Sequence, residues 1–246
     1  GLGDVYKRQV SPYALEEFAR EYGYEMRPED FIDNGRYNTP FKNPTRKYLD
    51  WMEYNMKFVS GFAKKCVELA HAYGKKAIMF LGDHWAGTEP YGKYFPEIGL
   101  DAVVGAAGDG VTTRMIADIP VKETEARFYP YFFPDVFYDG GDPVGESAPI
   151  WIKCRRAIVQ KPMARMGYGG YLSLALKFPE FVEHVTEIAE QFKSIAKYSG
   201  GNRPRCAGFK VGVLNARGKL RSWQTHQVAH SLWNQRCYSY LGVLEA

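Results

Sequence analysis

Apolar residues along this chain follow two rhythms: helical spacing over long stretches, and short unbroken runs between them. Ser11-Pro12 predicts the start of a short helix, with Ser as N-cap and Pro in the first turn, and Gly23 predicts its end. From Asn43-Pro44 a longer helix is expected, because Leu49, Met52, Met56, Val59, Phe62, Cys66, Leu69 and Tyr73 recur at steps of three and four before a stop at Gly74. Such a stripe suits an amphipathic helix lying on a sheet. The sheet is read from the runs 77–81, 101–105 and 127–133, the first two taken as buried parallel strands. A short helical stretch falls near 112–118, between the second and third runs. After the turn at 138–143, Ser147 is a candidate cap for a helix through Trp151, Ile152 and Ile158. A clearer helix follows Pro179, with Phe181, Val182, Val185, Ile188, Ala189, Phe192 and Ile195 in helical register. Residues 199–204 have linker composition, after which 210–215 reads as a new buried strand and 223–233 as part of a helix. Strands alternating with connections predict a parallel α/β layer, for which a barrel is one of two common closures.

Composition narrows the partners. The chain has 246 residues, 46% hydrophobic and 24% charged, enough for a large domain with its own core. Its formal net charge of +4 is spread among interspersed acids and bases, without the continuous basic stripe that tracks nucleic acid. No apolar run reaches the roughly 20 residues of a membrane helix and no secretory signal opens the chain, so a cytoplasmic protein is expected. Cys66, Cys154, Cys206 and Cys237 are widely spaced without CxxC pairing and read as reduced thiols. Residues 1–9 read as a foreign leader, 10–205 as a partial barrel, and 206–246 as the beginning of a second α/β domain, the whole a piece of a longer protein.

Candidate chemistry concentrates just after the first strand run. Asp83 stands at its end in FLGDHWAGTEPYG, with His84, Trp85 and Glu89 in the same loop. In a barrel of parallel strands the chemistry sits where strands end, and two carboxylates with an imidazole and an indole suit the holding and cleaving of a sugar. An Asp after a strand also caps helices and fixes turns, which is the structural alternative. Arg127 is read at the beginning of the third strand, where alternation puts Tyr129, Tyr131 and Phe133 on its face and lets the four line one cavity. His226 and His230 share a helix face, but Gln227 replaces the Glu that the zinc protease motif requires, so no metal site is expected. The run 167–171, GYGGY, lacks GxGxxG spacing and a preceding strand, which leaves close backbone packing or a turn rather than a nucleotide cradle. Residues 140–143 read as a turn.

At FLGDHWAGTEPYG the chain resembles the galactosyl-N-acetylhexosamine phosphorylases, the lacto-N-biose phosphorylase family. RPEDF at 27–31, LDAVVGAAGDGVT at 100–112, RFYPYFFPDVF at 127–137, GGDPV at 140–144, RMGYGGYLSLALKFPEFVEHV at 165–185 and VGVLNARGKLRSWQTHQVAHSLW at 211–233 carry the resemblance further. It implies an irregular TIM-type (β/α) barrel, of which this chain holds the C-terminal part, followed by the start of an α/β amidotransferase-like domain. It also implies inverting phosphorolysis of a β-galactosyl disaccharide to α-galactose 1-phosphate and the free N-acetylhexosamine. By motif match Asp83 is the general acid, and Arg127 grips phosphate. Tyr131 and Phe133 shape the sugar subsites, while His84, Trp85 and Glu89 complete the substrate and phosphate site. Inorganic phosphate is a substrate and no metal or organic cofactor is implied. Galactosyl-1,4-rhamnose phosphorolysis and an inverting β-galactosidase are the alternatives, and a homodimer of the full-length parent is left open.

Overall fold

A computed structural model of the chain describes residues 11–32, 45–81, 91–128 and 136–199, which divide into two compact units. The first takes in 11–32, 45–69 and 91–99, and the second 70–81, 100–128 and 136–199.

In the first unit, helix α1 (Pro12–Tyr22) begins as its sequence predicts: the Ser11 hydroxyl accepts from the Ala14 N–H, and Gly23 closes the helix at φ 78°. Helix α2 (Pro28–Ile32) is followed by the long helix α3 (Arg46–Ala72), at whose start the Thr45 hydroxyl accepts from the Tyr48 N–H. The predicted stripe of α3 is only partly the buried one. Tyr48, Trp51, Met52, Tyr54, Met56, Ser60 and Val67 are buried, whereas Leu49, Phe62, Cys66 and Leu69 are exposed. Aromatic packing decides this face. Phe18 of α1 meets Tyr24, Trp51 and Tyr54 edge to face at centroid distances of 5.3, 5.2 and 5.6 Å, an arrangement favoured by ring quadrupoles. Tyr48, Met52 and Met56 pack with Tyr94 of the 3₁₀ helix Gly92–Ile98. Within this unit the buried face of the helix therefore packs largely on aromatic rings.

The second unit is built on four parallel strands, β1 (Ile78–Phe80), β2 (Ala102–Ala107), β3 (Glu123–Phe128) and β4 (Arg165–Tyr168). Their spatial order equals their order in the sequence. A doubly wound sheet would show a reversal of strand order, and none occurs among these strands, so the layer is wound in one direction like the wall of a barrel. Helices α4 (Gly110–Ala117), α5 (Pro143–Gln160), α6 (Leu172–Ala175) and α7 (Pro179–Ser199) complete the unit. The cap of α4 is Asp109, whose carboxylate accepts from the Thr112 N–H at 2.7 Å in a capping box. For α5 the cap is Asp142 and not Ser147: Asp142 accepts from the Gly145 N–H at 2.7 Å, while Ser147 is buried one turn inside the helix. Pro143 fits the first turn, where no partner for an N–H is needed.

One face of the sheet carries the core. Ala107, Ala126 and Phe128 pack with Ile116 of α4, Trp151 and Ile158 of α5, and Phe181 and Ile188 of α7. Gly105 lets α4 approach closely, since a Cβ there would lie 2.6 Å from the Ile116 side chain. Alternation sends the intervening residues to the opposite face. Register places Phe80, Val104 and Glu125 side by side there, with Ala106, Arg127 and Gly167 in the next row. Ile78 and Phe80 are about half exposed on this face, so the reading of 77–81 as a wholly buried strand is corrected.

Candidate active site

Two sequence expectations change at β3 and β4. Among the described residues the third strand covers 123–128, starting four residues ahead of the run read from 127, so Arg127 stands near its described end and not at its start. In the segment ETEARF three of the six residues are charged, which hides a strand from a search for apolar runs. Those charges are the period-two partner of Thr124, Ala126 and Phe128, which are buried against the helices. The second change is β4 itself, which includes Gly167 and Tyr168 from the run read as packing or a turn. Close packing does hold at Gly169, where a Cβ would stand 2.3 Å from the Arg127 Cβ.

The face opposite the helices is charged. At its N-terminal side Lys76 reaches Glu123 at 3.2 Å, and Arg165 of β4 reaches Glu123 at 2.9 Å and Glu125 at 2.6 Å. Lys76, then Arg165, holds the Glu123 carboxyl below its ordinary value. Two residues beyond Glu125 the guanidinium of Arg127 lies over the Phe80 ring, its central carbon 3.7 Å from the ring centroid, and its Nη1 donates to the Gly169 carbonyl at 3.5 Å. Ion-paired carboxylates thus occupy the lower rows of this face and Arg127 the upper one. The upper row is the C-terminal edge of a parallel sheet, where barrel enzymes keep their chemistry.

The end of β1 lies at the same edge. The ladder of β1 continues to Leu81, whose N–H donates to the Val104 carbonyl at 2.8 Å. Asp83 follows two residues later in the sequence. Because β1 and β3 both run parallel to β2, the exit of the chain from β1 and the Arg127 end of β3 share one edge. Asp83, His84, Trp85, Glu89, Tyr131 and Phe133 themselves lie outside the described residues, as do His226, His230, Cys206 and Cys237. Of the remaining cysteines, Cys66 is exposed and Cys154 buried, both as free thiols. Phe80 and Gly169 escaped the sequence reading; their signal was a large ring closing a strand before a functional loop and a glycine in line with the next strand.

Among the described residues no helix is long and apolar enough to cross a membrane. Residues 4–207 match the family model described as the lacto-N-biose phosphorylase N-terminal TIM barrel domain, and 210–246 match that of the central domain of the same proteins. The first match begins within the nine residues set apart as a leader. A 1,3-beta-galactosyl-N-acetylhexosamine phosphorylase of Bifidobacterium longum subsp. longum is 54% identical over 238 residues, 96% of this chain and 32% of that protein. One of the same name from Lachnoclostridium phytofermentans is 52% identical over 242 residues, 98% of this chain and 33% of the relative. A D-galactosyl-beta-1->4-L-rhamnose phosphorylase of that organism is 38% identical over 224 residues, 89% of this chain and 31% of its own length. The chain spans about a third of the length of the curated relatives it matches. A one-way parallel sheet of α/β type, with an ordered set of matching segments along nearly all its length, leads to one conclusion: the chain belongs to the lacto-N-biose phosphorylase family.

Proposed function

We propose that the full-length protein phosphorolyses a β-galactosyl-1,3-N-acetylhexosamine, releasing α-galactose 1-phosphate and the free N-acetylhexosamine with inversion at the anomeric carbon. The observation that carries this reading is graded similarity: relatives named for the galactosyl-N-acetylhexosamine reaction stand at 50–54% identity, against 38% for the galactosyl-rhamnose phosphorylase. Asp83 is the general acid. A phosphate oxygen attacks the anomeric carbon, the bond from that carbon to the glycosidic oxygen breaks, and the Asp83 proton goes to the departing oxygen. An inverting hydrolase needs a second carboxylate to deprotonate water, but phosphate arrives as an anion and needs no base. Asp83 must therefore carry its proton near neutral pH, which the neighbouring Trp85 favours by lowering the local polarity.

Arg127 holds phosphate through the paired N–H groups of its guanidinium. Its place at the C-terminal edge of the charged face supports that assignment. Tyr131 and Phe133 cover the apolar faces of the sugar rings, and His84, Trp85 and Glu89 complete the substrate and phosphate site. The chemistry uses no metal or organic cofactor, so turnover is unchanged by chelators. The protein works in the cytoplasm. The barrel part ends near residue 205, just after the linker-like residues 199–204 and close to where the match over 4–207 gives way to that over 210–246, and the following domain is of α/β amidotransferase-like type. With about a third of the relatives' length, the 246 residues alone do not turn over.

The test is product analysis on the full-length protein with lacto-N-biose and inorganic phosphate. Galactose 1-phosphate is expected, formed only when phosphate is present. Its absence with every β-galactoside tried would overturn the reading. The 38% identical relative favours one second substrate, galactosyl-1,4-rhamnose, and a higher kcat/KM on that disaccharide would replace the first.

A further inference from the structure

We infer that Phe80 and Gly169 are positioning residues that hold the Arg127 guanidinium ready for phosphate, an inference resting on the phosphate-binding role proposed for Arg127. Phe80 closes β1 on the charged face of the sheet, and Arg127 stands two residues beyond the register partner of Val104, which itself pairs with Phe80. The ring is 53% exposed, large for an aromatic side chain in a strand, yet the Arg127 guanidinium carbon sits 3.7 Å above its centroid. That distance is a direct stacking contact. On the other flank, from β4, Gly169 donates its N–H to the Phe128 carbonyl at 3.0 Å, which fixes its backbone beside the arginine arm. Its carbonyl accepts from Arg127 Nη1. A Cβ at 169 would stand 2.3 Å from Cβ, 3.0 Å from Cγ and 3.1 Å from Cδ of Arg127, so only glycine admits the arm in this path.

A ring suits this task where a carboxylate does not. A carboxylate partner cancels the positive charge that is to meet phosphate, whereas an aromatic face attracts the cation and leaves its charge in place. On the same face of the sheet Glu125 is engaged with Arg165. Stacking occupies the flat of the guanidinium, and phosphate is gripped by its edge, so both contacts coexist. Fixing the long side chain beforehand removes rotamer entropy that binding would otherwise lose.

Steady-state kinetics of the full-length protein, varying phosphate and galactoside separately, test the inference. Phe80→Leu is expected to raise the KM for phosphate about tenfold, the loss of one cation–π contact, without changing the KM for the galactoside or the unfolding temperature. Phe80→Tyr keeps the ring and restores the phosphate KM. Gly169→Ala raises it as Phe80→Leu does. A role confined to packing moves both KM values and the unfolding temperature together, and that result overturns the inference. If Arg127→Ala raises the phosphate KM but Phe80→Leu does not, the positioning role falls while the phosphate role of Arg127 stands. If Arg127→Ala leaves the phosphate KM unchanged, both fall.

Discussion

Arg127 owes its position to alternation along β3, in which Glu123, Glu125 and Arg127 face away from the helices while Thr124, Ala126 and Phe128 pack beneath them. A residue one place away would point into the core, as Ala126 and Phe128 do. Leu81, two residues before Asp83 in the sequence, ends the β1 ladder at the same edge of the sheet. In the full-length protein Asp83→Asn is expected to lower kcat on the order of 10³-fold while galactoside binding, measured by calorimetry, persists. Turnover that survives this change removes Asp83 as the acid. Acid sensitivity is a second residue-scale property. The Asp101 carboxyl lies below its ordinary 3.8 because the Ala77 N–H donates to it and His71 stands beside it, and Glu123 lies below 4.5 through Lys76 and then Arg165. Unfolding separates these partners, so in acid the unfolded chain binds more protons than the folded one. The stabilisation is complete above the ordinary carboxylate values and is lost as pH falls through the lowered folded ones. Thermal unfolding temperatures are expected to drop below about pH 4, and Glu123→Gln is expected to flatten that drop.

Elements were legible where their physics is local. Helix α1 has its cap, its first-turn proline and its terminal glycine written in consecutive residues, and the structure follows them. The stripe of α3 differs from the buried face because Tyr48, Trp51 and Tyr54 take burial that the apolar periodicity assigns to Leu49, Phe62 and Leu69. Which apolar residues a helix buries depends on the shape of its partner, and a periodicity cannot report that. Strand β3 starts upstream of the aromatic cluster because a strand with one charged face alternates, and that alternation is a fainter sequence signal than the rings that follow it. Two substitutions test the helices. Asp109→Ala removes the capping box of α4 and is expected to cost about 1 kcal/mol, read as a fall in the unfolding temperature of a few degrees. Phe181→Ala in α7 removes a ring packed on Phe137 and Tyr168 at 5.1 and 5.3 Å, and a loss of roughly 3–5 kcal/mol is expected from denaturant titration.

At the scale of the whole molecule, β1 and β4 each pair on one side only among the described residues. Ile78 and Phe80 leave apolar surface on the β1 edge. Strand edges of this kind pair with other copies. The 246-residue chain purified alone is therefore expected to elute as high-mass species in size-exclusion chromatography, while the full-length protein elutes as a defined assembly; a monodisperse short chain counts against this. By itself, the sequence determined the α/β class, the caps of its clearest helix and, through motifs kept in order along the chain, the family. These are written in neighbouring residues or in whole-segment likeness, both of which survive without coordinates. Only the tertiary structure decided that the sheet is wound one way, that Arg127 stands near the end of β3, and that Phe80 and Gly169 flank its guanidinium. Those facts depend on strand order and register between segments tens of residues apart, and a period of two reports which face a side chain takes but never which strand lies beside it.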